Sequence, residues 1–165
     1  MYKAMDVLGY DAGTIGNHEF NYGLPFLAQV TGTPMAAAGT VSKHCRGPGY
    51  PLVLSNVFDA KSGKPLFAPY LVLDRTLDVV RADGTHTKVP IRIGLLGFTP
   101  PAILEWDKTS LQGKVKTMGL VEAAKRYLPE LQAKGVDLVF AISHGGLDTA
   151  PYSDEMENAN WYLAQ

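Results

Sequence analysis

Residues 119–146, GLVEAAKRYLPELQAKGVDLVFAISHGG, place one helical period directly before one apolar run. Leu120, Ala123, Ala124, Tyr127, Leu128 and Leu131 fall on a single helical face. Pro129 lacks an N–H and crowds the preceding turn, so it is expected to kink this helix or divide it in two. Gly135 is a stop signal. Val136–Ile142 then reads as a buried strand, and Ser143-His144-Gly145-Gly146 follows at once. A helix running straight into a buried strand is the repeating unit of layered α/β folds. In such folds chemistry gathers beyond the carboxyl ends of strands, where this histidine sits.

The opening of the chain has the same grammar. Met1, Ala4, Met5 and Leu8 recur at helical spacing, and Gly9 ends the pattern. YDAGTIG reads as a short strand, NHEFNYG as the loop beyond it, and LPFLAQVTG as a helix with Pro25 in its first turn. Tyr50–Phe58 reads as one buried strand. The Asp83-Gly84 pair between two strand-like runs predicts a hairpin. The stretch from GFTPP to Gly113 is read as irregular. SDEMENANWYLAQ is read as a helix capped by Ser153 with acids in its first turn. The expected class is therefore α/β.

Length and charge narrow the function classes. The 165 residues suit one domain, 46% of them are hydrophobic, and a net charge of -1 offers no broad attraction to nucleic acid or anionic lipid. No apolar run reaches the ~18 residues of a membrane span. MYKAMDVLGYD lacks the basic and continuous apolar regions of a signal peptide. Cys45 is the only cysteine, so no internal disulfide forms.

Four histidines can be weighed against this frame: His18, His44, His86 and His144. His86 is read as a solvated residue of the hairpin turn, and His44, beside Cys45, as a loop residue. His18 and His144 each lie just past a strand, among glycines that let backbone approach a ligand. The two loops, GNHE and SHGG, are expected to meet at one sheet edge. Asn17, beside His18, offers a neutral amide oxygen that ligates a hard or borderline metal without adding negative charge against an anionic substrate. A neighbouring histidine is then placed to protonate a leaving oxygen. Asp11 and Glu19 define no carboxylate pair, and Asp148 is read as a turn residue. The dinucleotide fingerprint, the P-loop and the nucleophile elbow are all missing from these residues.

GNHEFNYG resembles the signature loop of the calcineurin-like metallophosphoesterases. With LSNVFDAKSGKPLFAPY, IGLLGFTPP and SHGGLDTAPYSDEMENANWYLAQ, nearly the whole chain is similar to the bacterial 2',3'-cyclic-nucleotide 2'-phosphodiesterase/3'-nucleotidases of the 5'-nucleotidase family. The resemblance implies a four-layer α/β/β/α sandwich and two divalent ions (Mn, Zn, Co or Mg) that activate a water against phosphorus. It implies Asn17 and His144 as ligands of the second metal and His18 as the catalytic histidine. Many relatives place an acid four residues after the asparagine, paired with that histidine. Here the position is Asn21, which can orient a ring by hydrogen bonding. The resemblance also implies nucleotide substrates, cyclic 2',3' and 3', and a periplasmic setting.

The family's D-x-H, G-D and G-H-x-H motifs are not among these residues. Residues 1–165 are therefore expected to be a partial catalytic domain, an incomplete sandwich lacking the N-terminal and C-terminal metal motifs. Such a chain is expected to hold at most a weak single metal site, to be inactive alone, and to self-associate through exposed strand edges. Two other readings stand beside this one: a non-catalytic nucleotide- or protein-binding module, and a truncated product without function.

Overall fold

The computed structural model describes residues 1–40 and 45–165. His44 lies outside them. The element order is α1 (Tyr2–Leu8), β1 (Gly13–Thr14), a 3-10 turn (Asn17–Phe20), α2 (Gly23–Thr31), a second 3-10 turn (Ala36–Ala38), β2 (Leu52–Val53), β3 (Val57–Asp59), β4 (Tyr70–Val80), β5 (His86–Phe98), α3 (Ile103–Trp106), α4 (Lys108–Leu111), β6 (Val115–Thr117), α5 (Leu120–Ala133), β7 (Leu138–Ser143) and α6 (Asn160–Leu163). Three open sheets form among the described residues: β1 parallel to β2, β3 antiparallel to β6, and β4-β5-β7. In the last, β5 pairs antiparallel with β4 and parallel with β7. The class is α/β, as expected.

Two hydrophobic cores flank β3. Val57 packs with Ile15, Phe20, Leu24, Leu27, Leu54 and Ile103. Its neighbour Phe58 packs with Leu96, Phe98, Leu120, Tyr127 and Leu131. Alternation along the strand assigns the two residues to opposite faces. The predicted α5 stripe is the one buried, with Ala124 and Leu128 at its margin.

Several expectations require correction. Pro129 does not divide α5, which is continuous across it. Pro129 and Lys125 are both exposed, so water can satisfy the carbonyl that proline leaves unbonded. Tyr50–Phe58 is not one strand but two, β2 and β3. The break comes from side chains that compete for backbone partners. Ser55 Oγ donates to Pro69 O at 2.6 Å and accepts from Gly97 N at 3.1 Å. Buried Asn56 donates to Thr99 O at 2.7 Å and accepts from Thr99 N at 3.1 Å. The stretch before Gly113 contains α3 and α4, and β6 follows it.

The last segment is helical only over α6, and Ser153 caps nothing there; it accepts a turn bond from Met156 N. His86 opens β5, opposite Val80, rather than sitting in the turn, and it is exposed. The loop read into NHEFNYG begins as a 3-10 turn. β7 is also not buried: Leu138, Val139 and Phe140 are 47%, 40% and 53% exposed. It is the edge of its sheet, and its stretch Leu138–Phe140 is left open among the described residues. The expected exposed edge and apolar surface are thus present.

Candidate functional site

β1 packs against β5 and β7, so the GNHE and SHGG loops leave the sheets side by side. Gly97 makes this approach feasible, because a Cβ there would collide with the Val53 carbonyl and Thr14 Oγ1. Gly16 gives a milder version of this close approach at the site itself. A Cβ at position 16 would stand 3.0 Å from His144 Nδ1. The His144 amide donates to Phe98 O at 3.0 Å, which fixes where the loop leaves β7.

Asn17 and His144 line one cavity of about 340 Å³, with Ser143, Trp106, Glu157 and Asn158 also on its wall. The glycines after His144 are tied down by two asparagines. Gly146 N donates to Asn158 Oδ1 at 2.9 Å, and Asn160 Nδ2 donates to Gly145 O at 2.9 Å. Neither asparagine is visible as functional in the sequence reading, and an N-x-N spacing is their sole signal.

His18 is exposed and opens onto a different cavity, of about 520 Å³, with Tyr2, Tyr22, Phe26 and Arg46. A 3-10 turn has three residues per turn, so consecutive side chains diverge, and Asn17 and His18 face neighbouring spaces. Burial, then the Glu19 carboxylate, pushes the Tyr2 phenol up to about 12. His18 Nδ1 lies 2.8 Å from Asn21 Oδ1. Asn21 Nδ2 donates onward to Asp107, at 3.0 and 3.3 Å to its two oxygens. Asp107 lies 86 residues downstream of Asn21 and carried no signal in the sequence reading.

The acids settle as structural groups. Glu19 Oε2 accepts the Gly16 amide at 2.9 Å and so closes the 3-10 turn. Asp11 pairs with Arg75, and Asp148 accepts the Ala150 amide at 2.9 Å in a turn. Cys45 is free and exposed.

The cavity can be tested against a divalent ion. An amide oxygen and an imidazole nitrogen suit such an ion, and Ser143 Oγ, on the same wall, is buried without a partner among the described residues. Among the described residues, however, no three of His, Cys, Asp and Glu gather where they could hold a metal. Asn17 and His144 thus supply two donors of a suitable type on one cavity wall, fewer than a divalent ion's full ligand set.

Comparison with known proteins bears on what this arrangement belongs to. No protein-family model matches the chain. The whole chain is 44% identical to the 2',3'-cyclic-nucleotide 2'-phosphodiesterase/3'-nucleotidase of Yersinia enterocolitica, of which it covers 22%. Over 98% of its length it is 39% identical to the trifunctional nucleotide phosphoesterase protein YfkN of Bacillus subtilis, of which it covers 10%. The crystal structure of the calcineurin-like phosphoesterase YfkN superposes on 99% of this chain and 43% of that one, with a TM-score of 0.81 at 36% identity. The chain is homologous to part of the calcineurin-like phosphoesterases. It spans less than a quarter of the length of these curated relatives. These relatives are named as phosphoesterases and nucleotidases.

Proposed function

We propose that this chain carries one half of a metal-dependent nucleotide phosphoesterase site. Asn17 and His144 are ligands of one divalent ion, and His18 is the catalytic histidine. The observation that carries the reading is the shared cavity of Asn17 and His144, with His18 next in the chain. Bound divalent ions in such a site supply Lewis-acid stabilisation of phosphoryl oxygens and a nucleophile from water.

This chain's own residues do the rest. Gly16 lets the His144 ring approach the first loop. Asn158 and Asn160 hold the second loop in place. His18 presents Nε2 for a proton exchange with a leaving oxygen, because its Nδ1 is engaged by Asn21. The names of the relatives favour 2',3'-cyclic and 3'-nucleotides as substrates, and the resemblance favours a periplasmic setting. Two protein ligands bind an ion weakly, so turnover requires further donors.

Mn²⁺ titration of the ¹⁵N-labelled chain tests this. Paramagnetic broadening should converge on Asn17 and His144 and vanish in His144→Ala. Broadening confined to scattered surface carboxylates would reject the site. Hydrolysis of bis-p-nitrophenyl phosphate with excess Mn²⁺ that survives in His18→Ala would remove His18 from its role.

A further inference from the structure

Asn21 occupies the position from which a histidine partner would be expected to act, but an amide is ambiguous. Its oxygen accepts and its nitrogen donates, and either end could face the ring. The resolving group is Asp107. An ionised carboxylate only accepts hydrogen bonds. With both Asp107 oxygens within 3.3 Å of Asn21 Nδ2, the amide nitrogen must face Asp107. The amide oxygen is then turned to His18, 2.8 Å from Nδ1. An oxygen there requires a proton on Nδ1, and Nε2 is left free.

Asp107 is built for this task and for no other visible one. Its main chain links α3 to α4: its N–H donates to Ile103 O at 2.9 Å, and its carbonyl accepts from Ser110 N at 2.9 Å. Ile103 and Leu111 anchor those two short helices in the core. The side chain caps neither helix, and Asn21 is its hydrogen-bond partner among the described residues. At the other end, Asn21 N donates to His18 O at 3.3 Å, so the amide and the ring share one turn.

We propose that Asp107 is a positioning residue for His18, acting through Asn21 to hold the imidazole in the tautomer protonated on Nδ1. This rests on the reading of His18 as the histidine that faces phosphate. An aspartate paired directly would hold the ring by charge. The Asn21–Asp107 relay holds the same orientation with a neutral group against the ring and the charge one residue removed.

The test is a long-range ¹H–¹⁵N correlation spectrum of the histidine-labelled 165-residue chain, recorded about two pH units above the ordinary imidazole pKa of ~6.5. His18 is assigned by its loss in His18→Gln. The parent chain should show the Nδ1–H pattern at His18. Asp107→Ala and Asn21→Ala should lose it in favour of the Nε2–H form that free histidine prefers. Asp107→Asn, whose oxygen can still accept from Asn21, should retain it. Should Asp107→Ala fail to give a folded amide spectrum, Asp107→Leu, which keeps the branched side-chain shape without a hydrogen-bond acceptor, serves in its place. An Nε2–H pattern in the parent chain, or an unchanged Nδ1–H pattern in a folded Asp107→Ala or Asp107→Leu, overturns the proposal. The reading needs neither metal nor turnover. A tautomer switch without Mn²⁺ broadening at Asn17 and His144 overturns the functional reading alone, and the converse overturns this one alone.

Discussion

The backbone of Gly16 lies directly against the ring of His144, so close that a methyl group there would stand 3.0 Å from Nδ1 and press the ring back by a few tenths of an ångström. These residues are 128 positions apart and lie in loops that follow strands of different sheets. Gly16→Ala should therefore displace the His144 imidazole while leaving both cores intact. The overpacking is expected to cost about 1–3 kcal/mol in a denaturant titration. Mn²⁺ affinity should fall by roughly tenfold or more, as it does when an orienting contact of a ligand is lost. Unchanged affinity by calorimetry would show that the ring does not act from this position.

The SHGG loop hangs on two asparagine side chains. Asn158→Ala removes the acceptor of the Gly146 amide at a half-buried position and is expected to cost about 1 kcal/mol. Amide exchange at Gly146 should quicken correspondingly, by roughly fivefold to tenfold, while exchange within α5 keeps its rate. Equal acceleration in both places would mean that the loop has no local stability of its own.

Asp59 gives a pH prediction with a definite sign. Its carboxylate is held below its ordinary range first by the Ser62 backbone bond, then by the Ser62 hydroxyl, against an opposing contribution from burial, with Lys61 adding to the depression. A depressed carboxylate contributes stability above its unfolded pKa of ~3.9, and that contribution is lost as pH falls through the folded value. Asp59→Ala should be less stable than the parent chain at neutral pH. The two should converge in the acid range below pH ~4. A difference that stays constant from neutral to acid pH would show that the Asp59 turn at Lys61 and Ser62 does not depend on charge.

The exposed strip Leu138, Val139 and Phe140 belongs to an edge strand, and it is expected to drive self-association. Sedimentation velocity should show a concentration-dependent oligomer in the parent chain. Val139→Lys, which places a charge on the edge, should shift that equilibrium toward monomer. Identical sedimentation of the two chains would exclude β7 as the contact.

Much of the architecture was legible because it is carried by short-range patterns. The stripe from Leu120 to Leu131, the glycine stops after Leu8 and after Lys134, and the Asp83-Gly84 hairpin each depend on neighbours in sequence. The misreadings share a different cause. Ser55 and Asn56 split an apolar run because their partners, Pro69, Gly97 and Thr99, are 14 to 43 residues distant. β7 is apolar enough to be buried, yet burial requires a covering layer, and hydropathy says nothing about which segment supplies it.

The candidate site divides along the same line. Residue types with local chemistry were readable: an amide and two imidazoles just past strands, among glycines. Their association was not, because it depends on β1 and β7 meeting across β5 and on Gly16 permitting contact. Asp107 is the extreme case. Nothing within its own helical turns marks it, since its carboxylate caps neither α3 nor α4 and finds its partner 86 residues away. Periodicity and turn chemistry act over a few residues, so a linear chain displays them. A hydrogen-bond relay between segments that meet through long-range packing exists only once the chain has folded.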